Sequence, residues 1–412
     1  MLEGKIIKFY REQQQLKQSD IGLGICSNTH VSKIERGLTE VSGDIIDLLA
    51  KRLGIDMQKE IKNYLSLTSL LKKWEDAIIM HYKDKAKEVR VQIEDIKILH
   101  TPDFYHSYTL LLARYYLLNN KHHLVKPLID EMDSSTNHSP KEQNMLWHIK
   151  SIYSMKYKFD YDEAISYLRN VSIDEYNNHE YYYDFALAYH SINSRVLAYY
   201  YANLALQFFT KHRCFVRMIE TEMLMLIQIE QEGNPVHTEY ERLIEMTDSL
   251  GLIHQQALTL HNYAYQQVRL GNFKKASDLY YKSMKKKDPE SPFYLGSLEG
   301  FVNALTSDGK TSKARLLSLA EEGLSLANKI SSETFIHLFT LHMYKIQEKK
   351  DLYYQYIETK AYPYFKENGN SLPSEHYQIV LFDYYMENKE RDKANELAQA
   401  LVDKYRTINN FV

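Results

Sequence analysis

Two cysteines in 412 residues exclude a disulfide-built scaffold. Cys26 and Cys214 lie far apart and no CxxC pair occurs, which points to a reducing cytosol and gives no cysteine-type zinc site. Glycine (14) and proline (8) are sparse for this length, and alternating Val/Ile stretches are missing, so a β-sandwich or barrel is not expected. No apolar run reaches the ~20 residues of a membrane span. Met1 leads into a charged helical stretch, so no signal peptide is expected and a cytoplasmic location follows. The net charge of −3 argues against a protein that coats nucleic acid unspecifically. Residues 1–55 carry eight Lys/Arg against seven Asp/Glu, so any DNA affinity there must come from where the charges sit. Catalytic signatures are missing too: there is no P-loop, GxGxxG, HExxH or GxSxG. No enzyme, cofactor or metal is therefore expected.

What is present is helical periodicity. Apolar residues recur at three- and four-residue spacing nearly everywhere, which argues for an all-α chain. Residues 3–14, 18–23, 28–35 and 42–53 read as four short helices, the last ending at Gly54. Within them KQSDIGLGICSNTHVSKIERG (17–37) has the order a helix-turn-helix needs. Ile21 is an apolar anchor, Gly22 a small residue, and Gly24–Cys26 a turn. Ser27 is a helix N-cap, Val31 and Ile34 face a small core, and Gly37 stops the helix. Asn28 and Thr29 stand at the start of the recognition helix, where side chains reach base edges. Asn pairs bidentately with adenine, and Lys33 reaches guanine. Gln18, Ser27 and Arg36 are expected on phosphates, positioning without reading sequence. Glu35 is expected to tie the end of this helix to a neighbour. The competing reading is an exposed polar helix in a small protein-binding domain.

An amphipathic segment through Lys73 suggests a linker helix, giving a division into a head (1–56), a linker (57–74) and a repeat region (75–412). The repeat region falls into about eight helix pairs starting near 105, 141, 181, 216, 254, 292, 332 and 374. The clearest resembles a tetratricopeptide unit (257–289), with Leu260, Tyr263 and Ala264 on its first helix. A turn at Gly271–Phe273 leads to Ala276 and Tyr280 on the second. Phe159–Ala164 repeats the turn and anchor, Ala198 follows Ala164 by 34 residues, and Ala314 and Ala394 fit as later anchors. Stacked pairs of this kind form a right-handed superhelix that commonly binds peptides along the wall of first helices. Thirty-five tyrosines suit packing between helices, with the hydroxyl at a rim, and also a peptide groove.

Candidate groove residues are His261, Asn262, Tyr265 and Arg269 on one first helix and Glu299 and Asn303 on the next. An Asn amide offers donor and acceptor together, so such residues could clamp a peptide backbone, or could simply be solvated. Arg114, in the apolar run LLLARYYLL, needs an internal partner or a ligand carboxylate. His122 and His123 read as a turn surface, and Lys285–Lys287 as a solubilising run.

A helix-turn-helix followed by tetratricopeptide-like pairs resembles the Gram-positive peptide-pheromone receptors of the Rap–Rgg–NprR–PlcR–PrgX group. The string GICSNTHVSKIE is similar to the recognition segment of its PlcR and NprR branch, and the length of the body is nearer to NprR-like members. The resemblance implies a cytosolic transcription factor that binds two-fold operator DNA as a homodimer or higher homo-oligomer. A short re-imported signalling peptide would control it. It also implies a peptide grip by Asn262, Asn303 or Asn395, and by Arg114. Lys17 stands where the group usually has a Thr cap, and Val41 where it usually has Pro. The alternative function is a Rap-like protein that binds a phosphorylated response regulator and promotes its dephosphorylation. FYHSYTLLLARYYLL (104–118) is similar to a Rap segment, and Gln92 is the candidate for orienting water.

Overall fold

The computed structural model describes residues 1–229, 236–368 and 371–409. Among them the only regular structure is helical. Four helices form the head: α1 (Leu2–Gln13), α2 (Gln18–Gly22), α3 (Asn28–Glu35) and α4 (Gly43–Leu53). Each turns its apolar stripe inward. Ile6, Ile7, Ile21, Val31, Ile34 and Leu49 are all fully buried, so three- and four-residue spacing converges on one small core. α4 stops at Gly54, whose φ of 68° is the left-handed cap conformation that favours glycine. α1 crosses α3 very closely at Gly4, where a Cβ would sit 2.0 Å from the Ile34 carbonyl oxygen. Gly4→Ala is therefore expected to lower head stability by about 1–3 kcal/mol through overpacking, measurable by denaturant unfolding.

The helix expected as a linker to residue 74 continues as α5 (Met57–Ile79) and packs against α6 (Lys83–Glu94). Leu67, Leu71, Trp74 and Ile78 form a buried stripe, so α5 is half of a helical hairpin. Asp56 caps it by accepting from the Lys59 N–H at 3.0 Å.

Beyond it the helices run in order. α7 (Pro102–Leu118), α8 (Val125–Ser134), α9 (Pro140–Tyr153), α10 (Tyr161–Arg169) and the short α11 (Ile173–Tyr176) come first. α12 (Tyr181–Ser191), α13 (Arg195–Lys211), α14 (Phe215–Ile229), α15 (His237–Ser249), α16 (Ile253–Arg269) and α17 (Phe273–Met284) follow. α18 (Pro292–Asp308), α19 (Lys313–Lys329), α20 (Glu333–Ile346) and α21 (Lys350–Tyr356) lead through a π-helical turn to α22 (Tyr362–Glu367). α23 (Ser371–Glu387) and α24 (Arg391–Asn409) complete the described chain.

The first helices begin at 102, 140, 181, 215, 253, 292, 333 and 371, all within three residues of the expected starts. One pair departs from the pattern. α9 runs into a π-helical turn at 154–158 and Phe159 takes a φ of 54°. α9 is then covered by α11, while α10 packs on α12. The anchors Ala164, Ala198, Ala264, Ala276 and Ala394 are fully buried. Ala314 is not: it is exposed in the first turn of α19, and Ala320 and Gly323 take the close-packed positions. A Cβ on Gly323 would meet the Phe339 ring at 2.3 Å.

The chain divides into two compact units, Met1–Tyr153 with Asn170–Asn177, and Ser154–Arg169 with Asn178–Val412. The first unit holds the head together with α5–α9. α1 packs on α5, and Lys5 and Tyr64 both reach Asp103 at the start of α7, Lys5 at 2.9 Å. These contacts are why the compact unit does not end at the boundary expected after residue 56.

Candidate functional sites

In the head, α2 and α3 are set by interlocking caps. The Ser27 hydroxyl accepts from the His30 N–H at 3.2 Å. At α2, Lys17 offers no acceptor, and the Asp20 carboxylate takes the Lys17 N–H instead, at 2.8 Å. Arg52 of α4 reaches back to the carbonyls of Ile21 (3.1 Å) and Leu23, closing the turn between the two helices. Glu35, with a side chain 2 % exposed, pairs with Arg11 and accepts from the Gln18 amide at 2.8 Å. Gln18 is thus half-buried and its amide is committed to Glu35, so the phosphate contact expected of it is not what its side chain makes here. The requirement of a buried carboxylate outweighs a free surface amide at this position.

With that scaffold fixed, α3 presents Asn28, Thr29 and Lys33 to solvent while Val31 and Ile34 are fully buried. Ser27 and Arg36 are also exposed, the Arg36 Nε donating to the Ser32 carbonyl at 3.2 Å. The polar row therefore lies on the outer face of a short helix held at both ends. That is the geometry by which a recognition helix enters a major groove.

In the first unit Arg114 is buried, its guanidinium 3.0 Å from His148 Nδ1 and 3.2 Å from the Tyr176 hydroxyl. These two partners lie on α9 and α11. Gln92 is exposed on α6, its amide 3.4 Å from Glu88.

In the second unit α12, α14, α16, α18 and α20 touch in succession, so equivalent faces of first helices come together. His261, Tyr265 and Arg269 share a stripe of α16 with Asn262 beside it, and Glu299 and Asn303 share one of α18. Asn262 and Asn303 are half-buried, and among the described residues neither amide is engaged. Tyr265 and Arg269 are exposed. Asn395 does not share the row: it is exposed on α24, a second helix.

The centre of the row is a carboxylate among histidines. Glu299 Oε1 is 2.7 Å from His342 Nε2 on α20. Burial works against its charge, yet the His342 hydrogen bond and the fields of His342, His261 and His376 hold its carboxyl below the usual range. Burial, and then Lys287, push the His261 imidazole down to about 4, against the pull of Glu299. His261 Nδ1 is 3.0 Å from the buried Ser297 hydroxyl, to which Lys287 donates at 2.7 Å. Burial pushes the Lys287 ammonium down to about 8, so this lysine is not part of a solubilising run. His342, His376, Ser297 and Lys287 escaped the sequence reading. The signal that finds them is a histidine on the inner face of one first helix after another, visible only once the pairs are registered.

This is a helix-turn-helix head on a body of tandem helical pairs, with a polar row along the first helices. Residues 7–59 match the model of the helix-turn-helix family HTH_3. Across 94 % of its length the chain is 23 % identical to the transcriptional activator NprA of Geobacillus stearothermophilus, 99 % of which is covered. The fold matches the apo quorum sensor NprR from B. thuringiensis (TM-score 0.64, 18 % identity, 85 % of this chain and all of that one). It also matches a Rap protein complexed with competence and sporulation factor (TM-score 0.67, 16 % identity, 84 % and 99 %). NprR in complex with its cognate peptide NprX has a TM-score of 0.63 at 18 % identity, over 82 % and 99 %. The fold is therefore similar to that of NprR and Rap proteins.

Proposed function

We propose that the chain is a quorum-sensing transcriptional regulator of the cytoplasm. It binds operator DNA through α3 and is controlled by a short signalling peptide on the first-helix row of the second unit. The observation that carries this reading is the outward polar row Asn28, Thr29 and Lys33 on a helix whose other face is fully buried. Ser27 and Arg36 flank it as phosphate contacts, whereas Gln18 holds Glu35. Peptide binding is read onto Asn262, Tyr265, Arg269, Glu299 and Asn303, whose half-buried amides and carboxylate suit a peptide backbone and its charged end. Arg114 lies on α7 of the first unit, and Asn395 on α24, a second helix. The protomers act as a homodimer or higher homo-oligomer, because one short recognition helix reads too few base pairs for a specific site.

The test is retention of operator DNA selected from a random pool. Asn28→Ala with Lys33→Ala is expected to reduce binding to the salt-sensitive, unspecific level, each base reader being worth about 1–3 kcal/mol. Unchanged operator binding by that pair would sink the assignment of α3. If the intact protein selects no DNA but speeds loss of phosphate from a response regulator, and Gln92→Ala stops it, the Rap-like reading replaces this one.

A further inference from the structure

His106 on α7, His138 in the connection before α9 and Glu142 in the first turn of α9 all belong to the first unit. One donor atom from each lies within 4.8 Å of the other two. His138 fixes what this cluster is. Its Nε2 is 2.7 Å from the Met132 carbonyl oxygen, which can only accept, so Nε2 carries the proton. Nδ1 of the neutral ring is then a lone-pair donor, and it is buried with no hydrogen-bond partner. A buried acceptor left unpaired costs about 1–3 kcal/mol. A histidine whose outer nitrogen rests on a backbone carbonyl while the inner one is bare is the arrangement of a metal-ligating imidazole.

The other two members are held to match. The His106 ring stands 5.0 Å from that of His138, centroid to centroid, with Nε2 3.2 Å from the Ser135 hydroxyl. Glu142 is oriented through both oxygens: Oε1 accepts from Ser107 at 2.8 Å, and Oε2 from the Ser139 N–H and hydroxyl at 2.9 Å each. Among the described residues no lysine or arginine pairs with Glu142, so its charge is left for another cation.

We propose that His106, His138 and Glu142 form a three-ligand site for a divalent transition metal, Zn²⁺ by donor set, with an open fourth position. Two imidazoles and a carboxylate suit Zn²⁺ at about 2.0–2.2 Å per bond. Donors on such an ion are roughly 3.4 Å apart, so the cluster has to contract, and the non-helical connection carrying His138 is where it can. Cysteine spacing gives no hint of this site because none of its donors is a thiolate and all three come from different elements. The metal would tie α7 to the start of α9, three residues along α7 from Asp103, where Lys5 of the head is anchored.

The experiment uses the full-length protein stripped with chelator. It is titrated with Zn²⁺ by calorimetry and with Co²⁺ by visible absorption, the latter reporting coordination geometry directly. The expected result is one saturable equivalent, with Co²⁺ displaced by Zn²⁺. His106→Ala, His138→Ala and Glu142→Gln should each weaken binding by about tenfold or more, since even outer-shell changes cost about that much. His122→Ala with His123→Ala, the exposed pair elsewhere in this unit, should leave binding unchanged. Far-UV circular dichroism checks that each variant keeps its helices, and any two folded variants decide the matter. No saturable binding, meaning that water alone satisfies His138, overturns the proposal. So does equal affinity in the folded variants, or loss only on replacing His122 and His123.

Discussion

Arg11→Ala is expected to destabilise the head by about 3 kcal/mol and to abolish operator binding without touching the second unit. Glu35 is the reason. Its side chain is 2 % exposed and lies against Arg11, whose Nη2 donates at 3.0 Å while the same guanidinium also holds the Leu16 carbonyl at 3.0 Å. Removing the cation leaves a buried carboxylate with only the Gln18 amide, and an unpaired buried charge costs far more than the pair contributes. Arg11→Lys should recover only part of the loss, because a point ammonium cannot reproduce the two-pronged contact. Denaturant unfolding followed within the head reads the effect. An unchanged midpoint in Arg11→Ala would show that this ion pair does not hold α3.

The second large effect is acid sensitivity of the groove, and its sign follows from two residues. Glu299 has a lowered folded pKa, so its contribution is complete above the unfolded carboxylate value and is lost as pH falls through the folded one. His261 is pushed down to about 4. The unfolded chain binds that proton from about pH 6.5 downward, while the folded one resists it. Stability is therefore lost progressively between those two values, and both residues act in the same direction. Between pH 7 and 4.5 the His261 share is about 2 kcal/mol after allowance for its partial exposure. His261→Gln should flatten that part of the stability-versus-pH curve for the second unit. A curve with the same slope in wild type and variant would show that His261 is not held neutral by its surroundings.

The sequence made the repeat rhythm legible because burial of anchor alanines recurs at helical spacing, and Ala164, Ala198, Ala264 and Ala276 are fully buried. Ala314 misled because a small residue in the right window was read as an anchor; packing against Phe339 is done instead by Gly323. In the head, Val31 and Ile34 separated the inner from the outer face of α3 directly. Gln18 and Arg114 could not be read in the same way. Whether a polar side chain faces outward depends on a partner distant in the chain, Glu35 for one and His148 with Tyr176 for the other. His342 and His376 escaped notice for the same reason: with His261 they come from three helices, and only stacking brings them to one carboxylate.

Control of the DNA-binding head by a peptide on the first-helix row is open to direct test. The most direct measurement is calorimetric titration of the full-length protein with synthetic fragments of any short peptide encoded beside its gene, with oligomeric state followed in parallel. Saturable binding by one fragment and a change in assembly are expected. Asn262→Ala or Asn303→Ala should weaken binding by at least ~1 kcal/mol, the scale of a lost buried hydrogen bond. Binding that survives replacement of both asparagines and Glu299 undiminished, or no binding by any fragment, would contradict such control.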